Sequence, residues 1–238
     1  MEILKKVILF DLYDTVLKDV SFDFSKGIKY LYDNFFGEKC SLTDIIDYAE
    51  TFLPLYDRRK IDYSEVCLIR DEVPHFFDKF DVLKPEVLDE LEYAIMNHMQ
   101  NVTLLEDVRY TLNELQKLDI KMYILSNSIF TGSATRRLLS DFGILHYFEK
   151  VFSSADYKVR KPSKEFYQLA ITEILSVNHG VEKDEILYVG NDYITDVIGA
   201  TSVGLKTVWY NVNHLPNQKR LNIFEIDSFR QLLSITQQ

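Results

Sequence analysis

The chain has 238 residues, of which 47% are hydrophobic and 27% charged, the balance of a globular protein with one large domain or a core domain carrying an insertion. A formal net charge of -10 argues against a surface for nucleic acid or anionic membrane, because phosphate backbones are held through clustered Lys and Arg. An anionic substrate must then be met by a local cationic pocket.

Cys40 and Cys67 are the only cysteines, without C-x-x-C spacing, and read as structural thiols of a reducing compartment. The first residues, 1–6, followed by Val7-Ile8-Leu9-Phe10, have the outline of a secretory leader, but Asp11 and Asp14 cut the apolar run too short. No other segment approaches the roughly 20 apolar residues that span a bilayer. A cytoplasmic protein is expected.

The run Val7-Ile8-Leu9-Phe10 reads as a buried strand that delivers Asp11. From about Ser21 to about Gln100 the chain becomes rich in Asp, Glu, Tyr and Phe. Ile45, Ile46, Tyr48, Ala49, Phe52 and Leu53, and later Val87, Leu88, Leu91, Tyr93, Ala94 and Ile95, recur at three and four residues, which predicts helices. Ser41 with Asp44, and Pro85 with Glu86, suit helix openings; Gly37 and Pro54 punctuate the segment.

Beyond Val102 helix and strand alternate. A helix over about 106–118 leads to a strand over 120–125, and one over about 133–142 stops at Gly143. A strand follows at 151–153. The helix over 164–175 places Phe166, Leu169, Ala170 and Ile174 on one face. Strands at 186–189 and 207–210 flank a helix that begins near Thr195. This alternation predicts an α/β fold, a Rossmann-like parallel sheet core (residues 1–16 and 101–238) with an inserted all-helical cap (17–100). Phe130, Phe142, Phe148, Phe166 and Trp209 read as core, and the five histidines show no ligand spacing.

Four of these runs end in residues suited to an anionic group: Asp11; Ser126; Lys161, reached through a loop after Phe152; and Asn191, Asp192 and Asp196. Open parallel sheets bind ligands at the carboxyl ends of their strands, so the four clusters are expected to converge. A carboxylate at a buried strand end is costly unless compensated, and Asp11 is suited to act as a nucleophile; its plainer role is to cap a turn.

In order and spacing, the chain resembles the haloacid dehalogenase (HAD) superfamily. Asp11 and Thr15 match the first motif, Ser126 in Leu125-Ser126-Asn127-Ser128 the second, Lys161 before Pro162 the third, and the stretch from Gly190 through Asn191, Asp192 and Asp196 to Ala200 the fourth. The resemblance implies a hydrolase with Asp11 as nucleophile, and Ser126, Lys161 and the backbone N–H groups around Leu12, Tyr13 and Asn127 on the transferred group. It implies Mg²⁺ held by Asp11, the Tyr13 carbonyl, Asp192 and Asp196, with Asn191 in the usual place of the first acid.

Two departures bear on the reaction. Phosphatases of the superfamily carry a second Asp two residues after the nucleophile, where this chain has Tyr13. A phenol with a pKa near 10 is a poor acid or base at neutrality. Dehalogenases have Tyr there, but they lack the acidic pair that Asp192 and Asp196 supply. Tyr167 falls where dehalogenases carry a site tyrosine; Arg58 and Arg59 could reach a substrate from the insertion, although a solvated face is the commoner role. The expectation is therefore a Mg²⁺-dependent phosphatase of a small phosphorylated metabolite that acts through an aspartyl-phosphate. A metal-independent 2-haloacid dehalogenase and a weak or inactive binding relative are the alternatives. The partner is a small anionic molecule, and the protein is a monomer or homodimer.

Overall fold

The computed structural model describes residues 6–236, so residues 1–5 of the leader-like stretch lie outside it. Strand β1 (Val7–Phe10) enters the centre of the molecule with every side chain buried. Its side chains alternate between two apolar layers: Ile8 and Phe10 join one cluster, Val7 and Leu9 the other. A strand covered on both faces reads as a continuous apolar run, which is why this one is visible in the sequence.

The next strand, β2 (Leu17–Phe22), was not expected. It pairs antiparallel with β3 (Gln100–Leu104), with a register shift between Asp19 and Ser21. This ribbon brackets five helices: α1 (Phe24–Leu31), α2 (Leu42–Glu50), α3 (Leu53–Arg58), α4 (Val73–Lys79) and α5 (Leu88–Met99). The expected boundaries at 17 and 100 thus fall on the two ends of the ribbon. Ser41 opens α2 through a reciprocal capping box with Asp44, as its spacing predicts. Pro85 does not open α5; it stays in the loop, and Leu88 begins the helix.

The remaining chain alternates as expected. Helix α6 (Val108–Lys117) precedes β4 (Lys121–Ser126), and α7 (Gly132–Asp141) leads to β5 (Phe148–Ser153). Gly143 adopts φ +64°, the left-handed conformation that ends a helix at low cost. After α8 (Ser154–Tyr157) and α9 (Lys164–Val177) comes β6 (Ile186–Gly190), then a wide turn over Tyr193–Ile198, α10 (Gly199–Ser202) and β7 (Lys206–Tyr210). Phe166, Ala170 and Ile174 are buried on α9, but Leu169 is 39% exposed, because the buried stripe runs through Tyr167 and Ile171 instead. A short edge strand, β8 (Phe224–Ile226), and α11 (Leu232–Ile235) complete the core.

All six sheet strands are parallel, in the order β5-β4-β1-β6-β7-β8. Because β1 lies between β4 and β6, residues after these three strands meet at one sheet edge. Among the described residues no helix is long and apolar enough to cross a membrane.

Candidate active site

Asp11 follows β1 and is 7% exposed. The chain then closes a tight turn in which the N–H groups of Thr15, Val16 and Leu17 all donate to the Leu12 carbonyl. The turn places Asp14 at φ 57°, a conformation that Asp tolerates, and returns the Thr15 hydroxyl to Asp11 Oδ2 at 3.0 Å. Asp14 itself pairs with Lys18 at 2.6 Å on the outside of the turn.

Lys161 reaches this point from the loop before α9 and is 2% exposed. Its ammonium donates to Asp11 Oδ1 (2.6 Å), Asp196 Oδ1 (2.8 Å) and the Tyr188 hydroxyl (2.9 Å). A buried ammonium is tolerated only when its protons are matched in this way. Burial works against the charged amine, but Asp11 and Asp196 outweigh it and hold the lysine above its ordinary pKa. Burial likewise raises the Asp11 carboxyl, with Lys161 pulling it back. Two carboxylates share one ammonium, so the cluster carries a net negative charge before any ligand arrives.

Asn127 fixes the backbone of Lys161. Its Oδ1 accepts the Lys161 N–H at 2.8 Å and its Nδ2 donates to the Lys161 carbonyl at 3.0 Å. Neighbouring Ser126 is fully buried, and its hydroxyl has no hydrogen-bond partner among the described residues. Such a group is a defect in a free-standing core and an asset where a ligand oxygen will arrive.

After β6, Asp196 Oδ1 accepts from Lys161 and from Tyr188 (2.6 Å), while Oδ2 accepts the Asp192 N–H at 2.9 Å. A Cβ at Gly190 would stand 2.5 Å from the Asp196 carboxyl carbon, so only glycine lets that carboxylate approach the strand. Asp192 is exposed and turns Oδ1 back onto the N–H groups of Ile194 and Thr195 and the Thr195 hydroxyl. Asn191 Oδ1 instead faces the Thr15 hydroxyl at 3.3 Å, on the Asp11 side.

Among the described residues no three His, Cys, Asp or Glu side chains gather closely enough to hold a metal by themselves. The oxygens beside Asp11 form a mixed set: its own carboxylate, the Asn191 amide and the backbone of the turn. Hard oxygen donors with surplus negative charge suit Mg²⁺, which keeps several waters and needs only one or two protein carboxylates.

The Tyr13 hydroxyl is bonded to another element and not to Asp11: it donates to Gln100 Oε1 on β3 at 3.0 Å, and burial pushes the phenol far above its ordinary pKa. It lines a pocket of about 440 Å³ between the sheet edge and the helical segment, together with Asp19, Phe22, Tyr56, Arg59 and Asn127. Arg58 pairs with Asp62 at the surface, whereas Arg59 turns into the pocket and pairs with the buried Glu65 at 2.8 Å. The structure thus joins Asp11, Thr15, Lys161, Asn191 and Asp196 through side-chain bonds, ties Asn127 to the Lys161 backbone, sets Ser126 beside them, and leaves the Asp192 carboxylate and the Tyr13 phenol outside that network.

Sequence reading took Tyr188 only as part of an apolar strand and Trp209 as core packing; Trp209 is buried, and its indole also donates to the Asn191 carbonyl at 2.8 Å. The signal was a polar-tipped aromatic inside a buried strand, which needs a partner for its tip. Tyr167 is buried beside Tyr188, with its hydroxyl on the Thr195 carbonyl and its ring against the Tyr188 ring. Asp19, Gln100 and Glu65 carried no motif.

The family model of haloacid dehalogenase-like hydrolases matches residues 8–210. A pyrimidine 5'-nucleotidase, PynA, of Streptococcus pneumoniae is 27% identical over 236 residues, covering 96% of this chain and 93% of its own. Among solved structures, a HAD phosphatase from Thermococcus onnurineus superposes with a TM-score of 0.60 at 25% identity over 97% of both chains. A 2-haloacid dehalogenase from Pseudomonas syringae gives 0.70 at 19% identity over 97% of both chains, a likeness of fold alone.

Proposed function

The chain belongs to the haloacid dehalogenase-like hydrolases, and from that premise we propose that it is a Mg²⁺-dependent phosphomonoesterase of a small phosphorylated metabolite, working through an aspartyl-phosphate at Asp11. The observation that carries the reading is Asp11, salt-bridged to buried Lys161 and set near a Ser126 hydroxyl that has no protein partner. A carboxylate alone would repel a phosphate dianion; a carboxylate beside a fixed ammonium and a waiting hydroxyl can receive one. The name of the pneumococcal relative favours a nucleoside 5'-monophosphate as substrate class, and the aromatic pocket above the site has room for its base.

In this reading the Asp11 carboxylate attacks phosphorus while Lys161 and Ser126 hold the equatorial oxygens. Asn127 keeps Lys161 in place, and Thr15 orients the other oxygen of Asp11. The Asp11 carboxylate, the Tyr13 carbonyl and Asn191 would hold Mg²⁺, with Asp196 positioning Lys161 and the chain at Asp192. When bound, the ion would neutralise charge on the phosphoryl oxygens. The helical segment acts as the cap that keeps water from the site.

Purified protein should hydrolyse p-nitrophenyl phosphate with Mg²⁺, lose turnover in EDTA and regain it when Mg²⁺ is restored. Asp11→Asn should be inactive throughout. Turnover that survives EDTA or Asp11→Asn would sink the proposal. Tyr13 favours a second reading, a metal-independent dehalogenase, and chloride release from 2-chloropropionate in EDTA separates the two.

A further inference from the structure

We infer that Asp19, on the ribbon strand β2, is the residue that donates and accepts the proton in this hydrolase, in place of the acid missing at Tyr13. The inference rests on the phosphomonoesterase reading and adds to it the step that reading leaves without an agent. Cleavage of an alkyl phosphate needs a proton for the departing alkoxide, and hydrolysis of the phosphoaspartate needs a base for water. Tyr13 supplies neither, because its hydroxyl is bound to Gln100 and its phenol does not ionise near neutrality. Asp14 is turned outward onto Lys18, Asp192 is spent on its own turn, and both oxygens of Asp196 are occupied.

Asp19 alone among the nearby carboxylates lies open to the substrate pocket and uncommitted. On β2 the side chains alternate: Leu17 is fully buried, Lys18 and Val20 are exposed, and Asp19 lies on the inward side with Leu17. The register shift that follows it bends the ribbon at this point. Asp19 lines the pocket with Tyr13, Gln100 and Asn127, and so faces the same space as the loop that holds Lys161. Its Oδ1 is buried and has no hydrogen-bond partner. A carboxylate oxygen buried without a partner is costly, and protonation or a substrate hydroxyl relieves that cost. Burial and the neighbouring charge of Asp14 raise this carboxyl, Lys18 lowers it, and Tyr13, Tyr56 and Arg59 are the other titratable groups lining the pocket. A carboxyl raised in this way keeps its proton to higher pH than a free one, the direction that suits a proton donor.

In the first half-reaction a bond forms between Asp11 and phosphorus, the ester bond breaks, and the leaving oxygen takes the Asp19 proton. In the second, a water oxygen attacks phosphorus, its proton returns to Asp19, and the bond from phosphorus to Asp11 breaks. Phosphate leaves, and both aspartates are restored.

The test compares wild type with Asp19→Asn, both with Mg²⁺, on p-nitrophenyl phosphate and on the fastest substrate of a panel of nucleoside 5'-monophosphates. p-Nitrophenolate leaves without a proton; a nucleoside alkoxide does not. The variant should lose about 10²- to 10³-fold in kcat on the nucleotide. On p-nitrophenyl phosphate it should release one equivalent in a fast burst and then turn over slowly, because phosphorylation of Asp11 survives and hydrolysis does not. The alkaline fall in the wild-type kcat profile should vanish with it. Equal losses on both substrates without a burst, or no loss at all, would overturn the assignment. Asp19→Ser serves the same comparison if the asparagine variant does not fold. Wild-type turnover and its abolition by Asp11→Asn judge the phosphomonoesterase reading separately, so the two can fail independently.

Discussion

Beside the role proposed for it on the phosphoryl oxygens, Lys161 has a structural one. It is the common partner of Asp11 and Asp196, so its removal leaves two carboxylates buried together without a counter-charge. Breaking a buried pair in this way costs about 3–5 kcal/mol, far more than the net worth of the pair itself. Lys161→Met should therefore abolish turnover and also lower stability by roughly that amount in urea unfolding at pH 7. The deficit should shrink as pH falls, because the stranded carboxylates can then protonate. A variant as stable as wild type at pH 7 would show that the two aspartates tolerate each other. The residues of this cluster were legible in sequence because Asp11 and Asp196 follow buried apolar strands and, with Thr15 and Lys161, match the family's motifs in order and spacing. The same logic misses residues that arrive sideways. Asn127 shows in the sequence as a neighbour of Ser126, but nothing there says that its side chain is spent on the Lys161 backbone. Tyr188 is hidden inside an apolar run for the same reason: periodicity reports which face a residue takes, and a hydroxyl changes what it does there.

At the scale of elements, the sheet was readable and the ribbon was not. Buried parallel strands announce themselves as short apolar runs, whereas β2 reads Leu17-Lys18-Asp19-Val20-Ser21-Phe22, with an irregularity that breaks its alternation. Strand β8 is three residues long, and two of them are exposed. The helices of the insertion carry a second feature without a motif. Glu72, at the junction before α4, is fully buried and accepts the Tyr56 hydroxyl at 2.6 Å, while its Oε1 has no partner. Burial raises its carboxyl from 4.5 to about 7, against a smaller downward pull from Tyr56. The folded chain thus holds this proton more tightly than the unfolded chain does. The associated stability is fully present below about pH 4.5 and is lost as pH rises through about 7, a change on the order of 3 kcal/mol. Glu72→Gln keeps an acceptor for Tyr56 and cannot ionise. It should be more stable than wild type at pH 8, and the two stabilities should converge toward pH 5 in denaturant titrations. Parallel curves for the two proteins would show that Glu72 stays ionised in the fold.

Across the whole molecule, one carboxylate ties the helical segment to the sheet edge that carries the candidate site. The stretch after α3 pairs with the stretch before Lys161: Arg160 donates its N–H to the Tyr63 carbonyl (3.0 Å), and Glu65 donates its own to the Lys158 carbonyl (3.1 Å). The Glu65 side chain is fully buried at this seam. It accepts the Ser154 hydroxyl at 2.8 Å and faces Arg59 at 2.8 Å and Arg160 at 3.7 Å. Ser154 in turn accepts the Ser128 N–H at 2.8 Å, from the loop that follows Ser126 and Asn127. Arg59 lines the pocket and Arg160 precedes Lys161, so loss of Glu65 would free both guanidiniums and loosen two loops of the site together. Glu65→Ala should cost about 3–5 kcal/mol in unfolding experiments. Its KM for p-nitrophenyl phosphate should rise more than its kcat falls, because binding surfaces are disturbed and Asp11 is not. Glu65→Gln keeps the acceptor for Ser154 but not the charge, and should fall between. Removal of an exposed pair such as Lys29 and Asp33, 61% and 49% exposed, should change stability by less than about 0.5 kcal/mol and leave KM alone. If Glu65→Ala behaves like that surface control, the helical segment is held to the core by its other contacts, among them Glu92 with Thr131 and Arg70 with Asp156, and the seam at Glu65 has no part in shaping the site.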